Sequence, residues 1–391
     1  MGSEYPSGAM RLRRAVLSLA LALVAFLPIS GGAAGPAWEQ WRSVPGVFDL
    51  GGPLASGSLL VAGSAAFYTL TPAGDLTPFA RGAGGYSDDP GAEAYFAVSP
   101  GQHVASAGCD FVRDDAFVLR LHVPVGITRV GRSGDETGSF TNLNVAVLNG
   151  IAFDNVGSFD HRLLVTAPVN GKTELLAVDC TGAVQVITKT APIVEGGISV
   201  APTAFGSFGG YLIAPDELSG TIWAFSPEGT TSKLVDSGLP KGMDIGVESI
   251  AFVPPGFSRG GYAYYSDRKT PGNPHPGTDS VLRMSSADLT AAGIQDGDLL
   301  AVTEGGATTI DVRCDSSCHA TTVVSMPTSA HGEGHLVFTM NPPPKPSRSP
   351  TAIPIGQARP VSVAPFIAIA AAVLAAGTAV MFALAARRRP R

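Results

Sequence analysis

Gly197-Ile-Ser-Val-Ala201, Gly210-Tyr-Leu-Ile-Ala214, Gly220-Thr-Ile-Trp-Ala-Phe-Ser-Pro-Glu-Gly229 and Thr231-Ser-Lys-Leu-Val235 follow one another as apolar runs separated by turns. Runs of this length, rich in β-branched and aromatic side chains and bounded by Gly, Pro or Ser, read as strands. The unit recurs upstream as Gly150-Ile-Ala-Phe-Asp154, Arg162-Leu-Leu-Val-Thr166, Glu174-Leu-Leu-Ala-Val-Asp-Cys-Thr-Gly182 and Ala183-Val-Gln-Val-Ile187. An earlier copy runs from Ser58-Leu-Leu-Val-Ala62 through Phe67-Tyr-Thr-Leu-Thr-Pro-Ala-Gly74 to Asp75-Leu-Thr-Pro-Phe-Ala80, and a later one opens with Ser249-Ile-Ala-Phe-Val253 and Gly261-Tyr-Ala-Tyr-Tyr265. Starts at 149, 195 and 248 set a period of about 45 to 55 residues. A four-stranded unit of that length is a β-propeller blade. The expected fold is therefore all-β: a six-bladed propeller over residues 36–340, its first blade completed by a terminal strand that closes the ring. A two-sheet sandwich does not account for the four-strand repeat.

The ends place this domain. Arg11-Leu-Arg-Arg14 precedes an apolar run from Ala15 to Leu27 and the small residues Gly31 to Gly35. That run, about 13 residues, is too short to span a bilayer and reads as a secretory signal peptide over 1–34, with Met10 an alternative start. Residues 366–386 form an uncharged stretch of about 21 residues, roughly 31 Å as a helix, followed by Arg387-Arg-Arg-Pro-Arg391. This predicts a single-pass cell-membrane protein with its N-terminus outside and residues 387–391 as a basic cytoplasmic tail. The Pro/Ser-rich segment 341–365 reads as an extended stalk, and the Pro-rich stretch from Asp267 to Asp279 as a surface loop over one face of the ring.

Three arginines lie in the opening segment and four in the tail, leaving 19 basic against 31 acidic residues in the exported part. A surface of net charge near −12 disfavours nucleic acid and anionic lipid as partners. The four cysteines belong to an oxidising compartment. Cys314 and Cys318 are close enough to bridge locally, which would leave Cys109 for Cys180; the sequence leaves three pairings open, with zinc at Cys314-x3-Cys318-His319 as the competing reading. His331-Gly-Glu-Gly-His335 reads as a turn carrying surface histidines, and Ser87-Asp-Asp-Pro-Gly91 as a turn rather than a Ca²⁺ loop. No Gly-x-Ser-x-Gly elbow or glycine-rich phosphate loop stands in a suitable context.

Chemistry gathers where the innermost strands begin. Glu93, Asn149, Glu195 and Glu248 each precede or open such a strand, with Glu304 a fifth candidate. In a propeller these side chains face the mouth of the central channel. Two carboxylates about 5 Å apart repel by roughly 3 kcal/mol at an effective dielectric near 20, so a cation, a shared proton or a basic side chain has to neutralise them. Oxygen ligands of mixed carboxylate and amide type point to Ca²⁺ as the cofactor, with Mg²⁺ second.

The Glu195-Gly and Asn149-Gly-Ile-Ala-Phe starts resemble those of the six-bladed regucalcin/gluconolactonase family and its strictosidine-synthase-like and NHL-repeat relatives. In the gluconolactonase group a Glu, an Asn and an Asp hold a divalent metal that polarises a lactone or ester carbonyl. The resemblance implies metal roles for Glu195 and Asn149; Glu248-Ser stands where the family has Asp-Gly. The expected function is a surface binding or recognition module for a protein or glycan partner. A metal-dependent lactonase or esterase using Glu195, Asn149 and Glu248 is the alternative, and a structural envelope role the second.

Overall fold

The computed structural model describes residues 35–63, 66–80, 93–135 and 137–340. Six four-stranded antiparallel sheets form six blades. Blade 1 comprises Asp49–Gly51, Leu59–Gly63, Ala66–Leu70 and Leu76–Pro78, and blade 2 comprises Phe96–Val98, Ala116–Arg120, Gly126–Val130 and Thr137–Asn142. Blade 3 comprises Gly150–Phe153, Leu163–Val169, Lys172–Val178 and Val184–Ala191, and blade 4 Ser199–Val200, Leu212–Asp216, Thr221–Phe225 and Thr231–Asp236. In each of these the strands run consecutively from the innermost outward.

One device recurs between the third and fourth strands. Gly74, Gly134, Gly182 and Gly229 each donate a backbone N–H to the residue three positions earlier, at 2.7 to 3.0 Å. In blade 5 the corresponding turn lies between Thr309–Cys314 and Cys318–Val324, and there the Cys314–Cys318 disulfide clamps the two strands. The second disulfide joins Cys109 to Cys180, as expected; the zinc reading of Cys314 and Cys318 is thereby set aside.

Blades 5 and 6 exchange strands, which the repeat did not foretell. Val247–Phe252 is the innermost strand of blade 5, yet the next strand, Gly261–Asp267, pairs in blade 6. The chain continues through Ser280–Ser285, still in blade 6. It returns by a short helix, Ser286–Ala291, to lay down Leu299–Thr303, Thr309–Cys314 and Cys318–Val324 in blade 5. Gly332–Met340 then enters blade 6 as its innermost strand, and Glu39–Ser43 joins that blade as its outermost. The terminal strand thus completes the last blade and not the first. Ser249–Val253 and Gly261–Tyr265, which look like neighbours within one unit, belong to different blades because the exchange happens in the connection between them.

The N-terminal strand is held by side chains as well as by its ladder. Arg283 makes a two-pronged pair with Glu39, both contacts at 3.1 Å, while its guanidinium covers Trp41 at 5.1 Å and Tyr262 at 4.7 Å. Each such cation–π contact contributes about 0.5–1 kcal/mol at an exposed site. Between blades the core is apolar and aromatic: Phe67 meets Phe96 edge-on at 4.7 Å, and Phe111 meets Phe153 at 4.9 Å.

The Pro-rich stretch is a loop, as expected, and is pinned across blades: Gly277 N–H donates to Ser329 O at 2.9 Å and His275 Nδ1 to Thr328 O at 2.7 Å. Among the described residues no helix is long and apolar enough to cross a membrane. The expected signal peptide, stalk, membrane span and basic tail, and the turn at Ser87–Gly91, lie outside them.

Candidate functional site

All inner strands start on the same face of the ring, and second strands, being antiparallel, end there. Glu93 precedes the inner strand of blade 2, Glu195 that of blade 4, Glu248 lies in that of blade 5 and Glu333 in that of blade 6. Glu217 and Glu304 follow the second strands of blades 4 and 5, and Arg268 that of blade 6. The topology therefore converges six glutamates on one channel mouth, against Arg268 and His331 as cations.

Glu333, 2 % exposed, is the hub. Arg268 Nη1 donates to Glu333 Oε1 at 3.0 Å and to Glu93 Oε1 at 2.9 Å. His331 Nε2 lies 2.9 Å from Glu304 Oε1 and 3.5 Å from Glu333 Oε1. The Tyr95 hydroxyl is 2.9 Å from Glu248 Oε1 and 3.0 Å from Glu333 Oε2. A phenol carries one proton, so both contacts are hydrogen bonds only when a carboxyl brings a second. Glu248 is the group that holds it, because burial first, and then the charges of Glu333 and Glu304, push its pKa well up.

Burial and like charge also raise Glu93 and Glu195 to about 7 and Glu217 to about 8. His331 rises to about 10: burial opposes its charge, but hydrogen bonds to Glu304 and Glu333 and their charges outweigh it. In every case the folded protein keeps a proton that the unfolded chain has already released. For the carboxyls this stability is present below about pH 4.5 and is lost as pH rises through 7 to 8; for His331 it is lost between about 6.5 and 10. The signs agree. With chelator present, calorimetry is expected to give a melting temperature that falls steadily from about pH 5 to pH 9; a flat or rising profile would show the acids ionised throughout.

Of the residues singled out from sequence, Glu93 and Glu248 enter this network directly, Glu195 feels the charges of Glu217 and Glu333, and Glu304 pairs with His331. Asn149 is occupied otherwise: its Nδ2 donates to Val194 O at 2.7 Å and its Oδ1 accepts from Thr166 at 3.1 Å, tying blade 3 to the entry of blade 4. Among the described residues, the His/acid group whose ligand atoms all lie within 4.8 Å of one another is Glu304, His331 and Glu333. Glu217 Oε1, His331 Nδ1 and the Tyr265 hydroxyl are buried there without a partner among the described residues.

The histidines of His331-Gly-Glu-Gly-His335 are not on a surface turn. His331 is 2 % exposed, and the segment from Gly332 on is the inner strand of blade 6. Gly332 is required by close approach rather than by a turn, since a Cβ there would lie 2.1 Å from the Tyr265 ring. His335 crosses the channel. Its Nδ1 and backbone N–H donate to Asp49 Oδ1 of blade 1 at 2.9 and 2.7 Å, and its Nε2 donates to Ile151 O of blade 3 at 2.7 Å. Both ring nitrogens face acceptors, so the ring is an imidazolium; burial acts against its charge and Asp49 sustains it. Beyond this plug lies a cavity of about 280 Å³, lined by Phe153, Ile198, Ile250 and Phe338 together with Asn155 and Ser199.

Asp49, Tyr95, Glu217, Arg268, His331, Glu333 and His335 were not foreseen at the site. The one available signal was the polar residue closing a second strand, as in Asp267-Arg268 and Asp216-Glu217.

Fold and site together define a six-bladed β-propeller with an acidic channel mouth. No protein-family model and no curated protein matches the chain. Among solved structures, the fold is similar to a streptogramin B lyase, at 11 % identity and a TM-score of 0.43, covering 78 % of this chain and 94 % of that one. It is likewise similar to a gluconolactonase-family protein described as putative, at 11 % identity and a TM-score of 0.42, covering 78 % and 90 %. Virginiamycin B lyase from Staphylococcus aureus follows at 12 % identity and 0.41, covering 78 % and 96 %. These likenesses concern the fold.

Proposed function

We propose that the protein is a membrane-tethered, extracytoplasmic recognition module that binds a protein or glycan at its acidic channel mouth, with a divalent cation bridging carboxylates and ligand. The observation that carries this reading is the imbalance at the mouth: six glutamates within one another's field against Arg268 and His331. An added cation relieves that repulsion and leaves coordination positions for an oxygen-rich ligand. The tethering follows from the apolar span at 366–386 and the arginines behind it.

The test is binding of full-length protein, reconstituted in liposomes, to purified envelope glycans and envelope proteins in millimolar Ca²⁺ or in EDTA. Binding that needs the cation and is lost in Glu195→Gln supports the reading; cation-independent binding is the result that sinks it. A metal-dependent lactonase or esterase is the second reading. It is favoured by Glu93 and Glu195 standing at about 7, where a carboxylate serves well as a general base. Turnover of lactones or aryl esters in the same preparation, lost with Glu195→Gln, would decide for it.

A further inference from the structure

We propose that Glu304, His331 and Glu333 form a mixed nitrogen and oxygen site for a first-row divalent transition metal, with Glu217 supplying a third carboxylate as the fourth ligand. This rests on the cation-binding reading of the mouth and names the metal class and the ligands, neither of which the oxygen-only expectation of Ca²⁺ at Glu93, Asn149, Glu195 and Glu248 contains.

The ligand atoms are already gathered, and a metal would take the place of the proton that His331 Nε2 shares with Glu304. His331 Nε2 stands 2.9 Å from Glu304 Oε1 and 3.5 Å from Glu333 Oε1, and the three ligand atoms fall within 4.8 Å of one another. A tetrahedral metal with bonds of about 2.1 Å separates its ligand atoms by roughly 3.4 Å, so small adjustments seat it. All three residues are buried, with side-chain exposures of 8 % for Glu304 and 2 % each for His331 and Glu333.

Two independent features point at the same spot. Glu217 is 7 % exposed, hydrogen-bonds the Glu304 side chain, and leaves its Oε1 without a partner. A buried carboxylate oxygen with nothing to accept is costly, and a metal bond or metal-bound water satisfies it. The Tyr265 hydroxyl is fully buried and equally unpartnered, and it lies in the field of Glu248, Glu333 and Glu304.

Ligand type selects the metal. Ca²⁺ takes about six to eight oxygens, whereas an imidazole among carboxylates suits Zn²⁺, Mn²⁺ or Fe²⁺. Arg268 also holds Glu333 Oε1, so it partly offsets the negative charge of the site and keeps that carboxylate aimed.

The test uses the full-length protein in detergent, stripped with chelator and titrated separately with Zn²⁺, Mn²⁺, Co²⁺ and Ca²⁺. Expected are one tight equivalent of Zn²⁺ or Mn²⁺ with a raised melting temperature, and visible absorption from bound Co²⁺. Pulsed electron paramagnetic resonance of bound Mn²⁺ should show coupling to one imidazole nitrogen. Glu304→Gln and His331→Gln should each weaken binding at least about 100-fold, beyond the 10- to 100-fold typical of outer-shell changes; Glu228→Gln, in the exposed turn between the third and fourth strands of blade 4, should leave it within a few-fold. The nitrogen coupling is read on the unaltered protein, so the test stands even where a variant fails to fold. Mn²⁺ bound without nitrogen coupling, or Ca²⁺ bound tightly while Zn²⁺ and Mn²⁺ are not, overturns this site and leaves the cation reading standing. Absence of binding by all four ions overturns both.

Discussion

Asp49→Ala is expected to lower stability by about 4 kcal/mol, the cost of breaking a buried ion pair and orphaning the donors around it. Asp49 is fully buried and accepts from Leu50 N, Phe96 N, His335 N and His335 Nδ1 at 2.7 to 2.9 Å. Alanine leaves a buried imidazolium without its counter-charge and three backbone N–H groups without an acceptor. At roughly 2–4 °C per kcal/mol for a domain of this size, the melting temperature should fall by about 8–16 °C. Because the cost is largely that of the abandoned partner, the Asp49→Ala/His335→Leu double variant should lose less than the two single losses combined. A single-variant loss below about 1 kcal/mol would mean that the plug does not hold the ring together.

Gly196→Ala should cost about as much, for a different reason. Gly196 has φ +76°, and a Cβ there would stand 1.9 Å from Glu248 O and 2.5 Å from Glu248 Oε1. The left-handed backbone costs a non-glycine residue about 1–2 kcal/mol, and displacing packed backbone adds roughly 1–3. Relief by movement is blocked, since Gly196 N–H donates to Asn149 O and Gly197 N–H to Glu248 O, both at 3.0 Å, joining blades 3, 4 and 5. Glu248 would be pushed off the Tyr95 hydroxyl, so the variant should also lose the cation response of the mouth. Urea unfolding with and without cation measures both; a loss under about 1 kcal/mol with an intact cation response would refute the argument.

How much of this was legible follows from what is local. Strand alternation and Gly-closed turns are set by a few adjacent residues, so blades 1, 3 and 4 could be traced, from Ser58 to Ala80 and from Gly150 to Val235, while blade 2 showed only its inner strand after Glu93. The acids at Glu93, Glu195 and Glu248 were legible for the same reason, since each sits at or shortly before the start of an inner strand. Their partners were not. Arg268 and Glu217 close second strands, as does Glu304, which the sequence offered only as the start of an inner strand, and nothing in their immediate neighbours says that antiparallel pairing returns them to the same mouth. His331, Glu333 and His335 were hidden by their glycines: Gly332 and Gly334 suggest a turn, whereas Tyr265 and Asp49, 67 and 285 positions away in sequence, are what exclude a side chain there. The exchange between blades 5 and 6 was out of reach for a similar reason, because Val247–Phe252 and Gly261–Asp267 each look like ordinary blade strands.

That exchange sets a timetable for the growing chain. Blades 1 to 4 are complete once Asp236 has been made, but Glu39–Ser43, the earliest strand, has no place to go until Ser280–Ser285 appears, with Arg283 lying 244 residues after its partner Glu39. Blade 5 waits half-built while blade 6 receives two strands. The final segment, Gly332–Met340 with His331 just ahead of it, then supplies the closing strand, the Glu333 hub and the His335 plug together. A chain cut short before this point has an open ring and no assembled mouth, so completeness of synthesis and competence of the site are secured by the same nine residues.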